Sequence, residues 1–197
     1  MRIYELALAE GQEWALPKAL EDNHLLSGLR GQRQLHWVPP GMEILTESED
    51  GTPRGYSDFP WYGAHVLILR AAAAEALRDT MSPYGELLPL AGGDGLELFN
   101  ATTVLDAIDE DRSQIARFDD GDVLNIECYA FHQEAIGNSL IFKLPYRASN
   151  LYVQAKFVEQ ISAMGLCGIG FELVWSDEID PVRQFTFPPR DHPKTRP

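Results

Sequence analysis

The chain has 197 residues, of which 30 are acidic and 16 are basic, giving a formal net charge of −14 at pH 7. Proteins that bind nucleic acids or anionic membrane surfaces use clustered Lys and Arg, so this balance excludes both classes of partner. Apolar residues make up 45% of the chain, which is too many for a disordered acidic tail and sufficient for a folded core.

The first 55 residues are predicted to form an N-terminal subregion that packs on the main domain. Residues 1–9 alternate as a strand does, and residues 11–31 carry helical spacing that ends at Gly28. The stretch 48–55, SEDGTPRG, has the composition of a surface loop and marks the boundary with the following region.

Residues 56–176 are predicted to form the main domain. The predicted strands cover 65–69, 87–90, 96–99, 123–131, 140–144 and 171–175, with a hairpin turn at AGGDG, and the predicted helices cover 71–81 and 154–164. The spacing of the second helix places Phe157, Val158, Ile161 and Met164 on its packing face, with Gly165 as its C-terminal cap. Strands and helices do not alternate regularly, which favours an α+β fold with a mixed or antiparallel sheet and a few packed helices.

Residues 177–197 are predicted to form an irregular, proline-rich tail, because five prolines fall between 181 and 197. The two cysteines are too few for a disulfide framework. The N-terminus lacks the apolar run of a secretory signal, and no stretch approaches the ~18 apolar residues of a membrane span. We therefore expect a cytoplasmic protein.

No arrangement of residues in the chain requires catalysis. The glycines at 92, 93 and 95 lack the Lys-Ser/Thr of a nucleotide-binding loop, and those at 165, 168 and 170 follow a helix, the wrong order for a dinucleotide site. Cys128 and His132 lie four apart on a predicted strand, about 13 Å from each other at ~3.3 Å per residue. The five histidines are scattered singly. We predict no enzyme activity, no cofactor and no metal.

The negative charge is concentrated in one part of the sequence. Between Asp94 and Glu134 there are eleven acidic and two basic residues, a net charge of −9 in 41 residues. One interpretation is a solvated face that keeps the protein soluble. The other is a docking surface for a basic partner, whose association the electric field accelerates.

An ordered set of motifs between Asp58 and Trp175 resembles the immunity proteins of bacterial polymorphic-toxin systems, the eleventh immunity class, formerly a domain of unknown function. The motifs are Asp58-Phe-Pro60, Tyr84-Gly-Glu-Leu-Leu-Pro-Leu90, Leu98-Phe-Asn100, Val104-Leu-Asp-Ala-Ile-Asp-Glu110, Ile141-Phe-Lys-Leu-Pro145, the helix at 154–164 with Gly165-Leu166, and Phe171-Glu-Leu-Val-Trp175. The resemblance implies a non-catalytic protein that binds and blocks a cognate toxin in the cytoplasm of the producing cell. It does not fix which toxin is bound.

The expected partner is a basic protein toxin such as a nuclease, because a nucleic-acid-degrading protein carries a basic cleft that an acidic surface can cover. The candidate contact residues are Asp109, Glu110, Asp111, Asp119, Asp120 and Asp122, with Trp61 and Tyr62 as aromatic anchors. Asp106 follows a predicted strand and is interpreted as a cap or turn residue rather than a contact. Packing at a domain edge is the alternative role of the two aromatic residues. The alternative function is a non-enzymatic adaptor or structural protein of a secretion or assembly apparatus.

Overall fold

The computed structural model of the chain describes residues 1–92, 95–147 and 149–178. Residues 93 and 94 of the predicted glycine turn, and all but the first two residues of the predicted proline-rich tail, lie outside these ranges. Helices and antiparallel strands follow one another in mixed order and form several sheets, so the fold is α+β, as predicted.

The strands are β1 Arg2–Ala7, β2 Trp14–Pro17, β3 Met42–Leu45, β4 Leu67–Leu69, β5 Gly85–Pro89, β6 Glu97–Ala101, β7 Gln114–Arg117, β8 Val123–Cys128, β9 Ile141–Phe142, β10 Tyr152–Gln154 and β11 Gly170–Ser176. The helices are α1 Leu20–Ser27, α2 Ala71–Met81, α3 Gln133–Ile136 and α4 Ala155–Ala163. Strands β2, β3, β7 and β10 and the short helix α3 were not predicted from the sequence.

The largest sheet joins the two ends of the described chain. Its order is β11-β1-β10-β9, with antiparallel neighbours throughout, so the N-terminal strand lies between two strands from the last quarter of the chain. Helix α4 follows β10 directly and buries Phe157 and Ile161. Gly165 adopts a φ of +69° immediately after the helix, as predicted for its cap. The prediction that Met164 packs inward was wrong, because this side chain is largely exposed where the helix ends.

A second sheet, of order β4-β6-β5, contains the predicted hairpin and carries helix α2. The helix has the predicted bounds, 71–81, and buries Ala73, Ala74, Leu77 and Met81, which share one helical face at i, i+1, i+4 and i+8 spacing. These side chains join buried residues of the first sheet in one hydrophobic core.

The N-terminal region shares its core with the second sheet. Ala15, Leu26 and Met42 pack in one cluster with Ile68 and Leu98. The short β2–β3 pair is antiparallel and extends this layer. The division of the chain at residue 55 and at residue 176 stays a prediction, but the cluster shows that the first 55 residues contribute to a shared core.

A buried ion pair also fastens the N-terminal region to the main domain. The Glu13 carboxylate accepts a 2.8 Å bond from the Arg70 guanidinium and a 3.1 Å bond from the backbone N–H of Ser57. Arg70 in turn donates from Nε to the backbone carbonyl of Ser57. Each charge is therefore compensated where water is largely excluded, as buried ions require.

An aromatic cluster packs against the two-stranded β7–β8 sheet. Phe131, Phe142, Tyr152 and Trp175 have ring centroids 5.6–6.1 Å apart in stacked and edge-to-face pairs. Such pairs stabilise a core by ~1 kcal/mol each beyond the area that they bury. This cluster supports the two-stranded β7–β8 sheet, and six of the predicted contact residues lie in the loop before β7 and in the turn between the two strands.

Candidate partner-binding site

Residues 109–128, here called the acidic hairpin, consist of a loop at 109–113 and the antiparallel strands β7 and β8 with their turn. The turn closes where the Phe118 N–H bonds to the Asp122 carbonyl and the Gly121 N–H bonds to the Phe118 carbonyl, both at 2.9 Å. Gly121 has a φ of +86°, a conformation that favours glycine. Seven acidic and two basic residues give this 20-residue segment a net charge of −5.

The inner face of the acidic hairpin packs on the aromatic cluster. Val123, Ile126 and Cys128 of β8 are buried, and Val123 and Ile126 share a cluster with Phe131 and Trp175. This packing fixes which side of the hairpin faces solvent, because successive side chains on a strand point to opposite faces.

The turn presents three of the predicted contact residues to solvent. Asp119 and Asp120 are exposed, and Asp122 is half-buried. Asp120 accepts a 3.1 Å bond from the Asp122 N–H, and Asp122 accepts a bond from the N–H of Val123. Asp119 makes no hydrogen bond or ion pair within the described part of the chain, so its carboxylate is available to a partner.

The loop at 109–113 holds the other three predicted acids in different ways. Asp109 is half-buried, and its carboxylate accepts a bond from the Arg112 N–H and pairs with the Arg112 guanidinium at 3.9 Å. Glu110 is exposed and pairs with Arg117 at 2.8 Å. Asp111 is exposed and has no partner among the described residues.

Arg117 joins the loop to the turn. One of its guanidinium nitrogens pairs with Glu110, and another donates to the Gly121 carbonyl at 3.0 Å. The Tyr146 hydroxyl also reaches Glu110, at 3.5 Å. The six predicted acids are therefore parts of one local structure, although they are separated by a strand in the sequence.

Two exposed apolar side chains accompany these acids and were not predicted. Phe118 is 52% exposed and Leu124 is 56% exposed. In the strand register, Arg117 is paired with Val123, whose side chain faces inward. Phe118 follows Arg117 and Leu124 follows Val123, so both side chains point to the outer face. The acidic hairpin thus presents negative charge and exposed apolar side chains together.

Other acidic residues of the 41-residue stretch lie outside the acidic hairpin. Glu97 is on β6, where it pairs with Arg78 at 2.7 Å, and Asp94 lies outside the described residues. The stretch is therefore not a single surface, and the acidic hairpin is the part of it that forms one.

Trp61 and Tyr62 are both half-buried and belong to different clusters from the acidic hairpin. The backbone of Trp61 exchanges hydrogen bonds with Glu13 and Ala15, and the Tyr62 hydroxyl donates to Asn23 at 3.1 Å. These contacts fasten the segment to the N-terminal region. A role for the two residues as partner anchors stays a prediction.

The described residues contain no group of three or more His, Cys, Asp or Glu side chains arranged to hold a metal ion. Within the same ranges, no helix has the length and apolar character that crossing a membrane demands.

The comparisons with known proteins identify the segment that carries the acidic hairpin. Residues 98–175 match the model of the immunity protein family Imm11. The match confirms the resemblance seen in the sequence motifs and includes the whole acidic hairpin. The motifs quoted between Asp58 and Leu90 lie outside it. No curated protein matches the chain.

The Imm11 match implies an immunity, or antitoxin, role and therefore a cognate toxin as binding partner. Immunity proteins of this kind are typically inhibitors without catalysis of their own. Within the matched region, the six predicted acids lie in the loop before β7 and in the β7–β8 turn, while β9, β10 and β11 supply strands of the first sheet.

Proposed function

We propose that the chain binds and neutralises a bacterial polymorphic toxin in the cytoplasm of the producing cell, and that the acidic hairpin contacts a basic face of that toxin. The observation that carries the proposal is the exposed combination of Asp111, Asp119 and Asp120 with Phe118 and Leu124, all inside the segment that matches the immunity family. A nuclease is the expected toxin, since its substrate-binding cleft must be basic to hold phosphates.

The two parts of the surface have different roles in this proposal. Acidic side chains attract a basic partner over distances comparable to the Debye length, about 8 Å at physiological salt, and so increase the rate of association. Apolar side chains that become desolvated in the complex slow its dissociation. Complexes of nuclease toxins with their immunity proteins reach the upper limit of non-covalent affinity, which such a division of roles permits.

Co-expression with the cognate toxin domain tests the proposal. The wild-type chain is expected to restore growth of cells that produce the toxin, and the chain carrying Phe118→Ser and Leu124→Ser is expected to protect them less well. Both substitutions are at exposed positions, so the variant should fold. A matched control carries Leu20→Ser and Leu35→Ser, which are exposed apolar residues outside the acidic hairpin.

Full killing in the presence of the wild-type chain would contradict the immunity role. Equal protection by the two double variants would place the toxin contact on another surface. Recovery of secretion-apparatus components with the chain, together with failure to bind the toxin, would favour the adaptor function instead.

A further inference from the structure

A cavity of about 320 Å³ lies between the end of α1, His65 of the main domain and the segment after β9. Its lining includes Leu29, Arg30, His65, Lys143 and Arg147. The volume falls within the range of small-molecule sites, ~300–1,000 Å³. The acidic hairpin is a protein-binding surface in the proposal above, whereas this cavity has the shape of a ligand site.

The charge of the cavity is opposite to that of the protein as a whole. Arg30, Lys143 and Arg147 line it, and its lining contains no Asp or Glu. Six other arginines of the described chain pair with carboxylates: Arg2, Arg33, Arg70, Arg78, Arg112 and Arg117. The three cations of the cavity form no ion pair with any described residue, although the chain has almost twice as many acids as bases.

One acidic residue, Asp122, lies beside two of these cations. It lines an adjoining groove together with Arg30 and Arg147. Its carboxylate, however, accepts the N–H of Val123 and pairs with neither arginine. The positive charge of the cavity is therefore left without a counterion from the described chain.

Lys143 forms the buried part of the site. The residue is 3% exposed, and its ammonium group donates to the Leu29 carbonyl oxygen at 2.7 Å. An ammonium group has three hydrogens to donate, and the described residues supply this one acceptor. Burial lowers the pKa of Lys143 to about 8, so the group is still mostly charged at pH 7.

His65 also lines the cavity, and one of its ring nitrogens has no hydrogen-bond partner among the described residues. Its Nε2 atom is buried and makes no hydrogen bond within the described structure. Burial, and secondarily the charge of Lys143, lower the pKa of His65 to about 4, so the imidazole is neutral at pH 7. A buried cation without a counterion and a buried ring nitrogen without a hydrogen-bond partner are the features expected of a polar site that a ligand completes.

We propose that this cavity binds a small anion that carries a phosphate group. A phosphate has up to two negative charges and several acceptor oxygens, which match the three cationic residues that line this one cavity. A single carboxylate would leave most of the positive charge uncompensated. The source is either free inorganic phosphate or a phosphate monoester whose remaining atoms extend into the open side of the cavity.

Isothermal titration of the full chain with inorganic phosphate and with ethyl phosphate tests the site, at a constant ionic strength set with sodium chloride. The wild-type chain is expected to bind at least one of them saturably. Arg30→Gln, Arg147→Gln and Lys143→Met are each expected to weaken binding at least tenfold. Arg2→Gln and Lys156→Met are matched controls at exposed positions outside the cavity, and they are expected to change the affinity less than twofold.

Tighter binding of ethyl phosphate would identify a phosphate monoester as the ligand, and equal or tighter binding of inorganic phosphate would identify the free ion. Absence of saturable binding of either probe would overturn the proposal. The proposal is also overturned if the control variants weaken binding as much as the cavity variants, or if acetate binds as tightly as phosphate. Arg30 and Arg147 are exposed, so their variants should fold and test the site independently of Lys143→Met.

Discussion

Lys143 reaches across the molecule to donate a hydrogen bond from Nζ to the backbone carbonyl oxygen of Leu29, over 2.7 Å. Lys143 belongs to the segment that matches the immunity family, and Leu29 belongs to the N-terminal region outside that match. The contact shows that the two parts of the chain meet at a buried charge. Its cost and its pH dependence lead to the first prediction.

Replacement of Lys143 by Met should stabilise the protein at pH 7. The lowered pKa, about 8 in place of 10.5, corresponds to a cost of about 3 kcal/mol for keeping the charge buried. Loss of the bond to Leu29 offsets this by about 1–2 kcal/mol, leaving a net gain of about 1–2 kcal/mol. Urea denaturation of both proteins at pH 7, without phosphate, measures the difference.

The gain should disappear as the pH rises. Between pH 8 and 10.5 the unfolded chain holds the Lys143 proton more tightly than the folded chain does, so the wild-type protein becomes more stable relative to the variant across that window. Lys156→Met, at an exposed position, serves as the control and should show no such trend. A difference between wild type and Lys143→Met that stays constant from pH 7 to 10 would contradict the assigned burial.

Replacement of Glu13 by Gln should destabilise the fold by about 3 kcal/mol, because the Arg70 guanidinium would lose its buried counterion. The double variant Glu13→Gln, Arg70→Met removes both charges and should recover part of the loss. Denaturation midpoints of the two variants measure these effects. Glu159→Gln interrupts the exposed 3.7 Å pair with Arg2 and should change stability by about 0.5 kcal/mol or less. Equal effects at positions 13 and 159 would show that the Glu13–Arg70 pair is not a special anchor.

Replacement of Gly168 by Ala should be much more damaging than the same change at Gly165. Both glycines have positive φ, +97° and +69°. A Cβ at 168 would clash with Ser57 Oγ and lie 2.6 Å from Ser57 Cα, whereas a Cβ at 165 would meet no atom within 4 Å. We expect losses of about 3 kcal/mol or more at 168 and about 1 kcal/mol at 165. Thermal melts of the two variants test the contact, and similar melting temperatures would contradict it.

Charge reversal at Asp119 and Asp120 should slow binding of a basic toxin. Replacement of both by Lys should lower the association rate constant about tenfold at low salt and flatten its dependence on salt concentration. The dissociation rate should change less. The control Glu49→Lys, Asp79→Lys makes the same change in net charge at exposed positions outside the acidic hairpin. Surface plasmon resonance at several salt concentrations gives both rates, and identical association for the two variants would exclude the turn from the interface.

The sequence predicts those helices and strands that short-range residue spacing determines. Helix α2 was found because its alanines and Leu77 follow a helical period, and the β5–β6 hairpin because its apolar runs flank a glycine-rich turn. Strands β2 and β3 are not predictable from the sequence, because a four-residue segment is too short to show the two-residue alternation of a strand. Strand β10 was missed because it passes directly into helix α4, so that Gln154 was assigned to the helix.

The candidate sites depend on relationships that no local pattern contains. The acids of the hairpin were predicted from charge alone, but the exposure of Phe118 and Leu124 follows from a strand register with two irregularities. The basic cavity gathers Arg30, His65 and Lys143 from three distant segments. Lys143 lies in an apolar run that resembles an ordinary strand, so the only sequence signal was a single charge among buried neighbours.

The most direct test of the immunity role is to titrate the activity of the purified cognate toxin domain with the purified chain. For a tight, stoichiometric inhibitor, residual toxin activity should fall linearly and reach zero at one chain per toxin molecule. The Phe118→Ser, Leu124→Ser variant should give a curved titration with residual toxin activity at one chain per toxin molecule, because faster dissociation leaves part of the toxin free. Undiminished toxin activity at a tenfold excess of the wild-type chain would contradict the assignment.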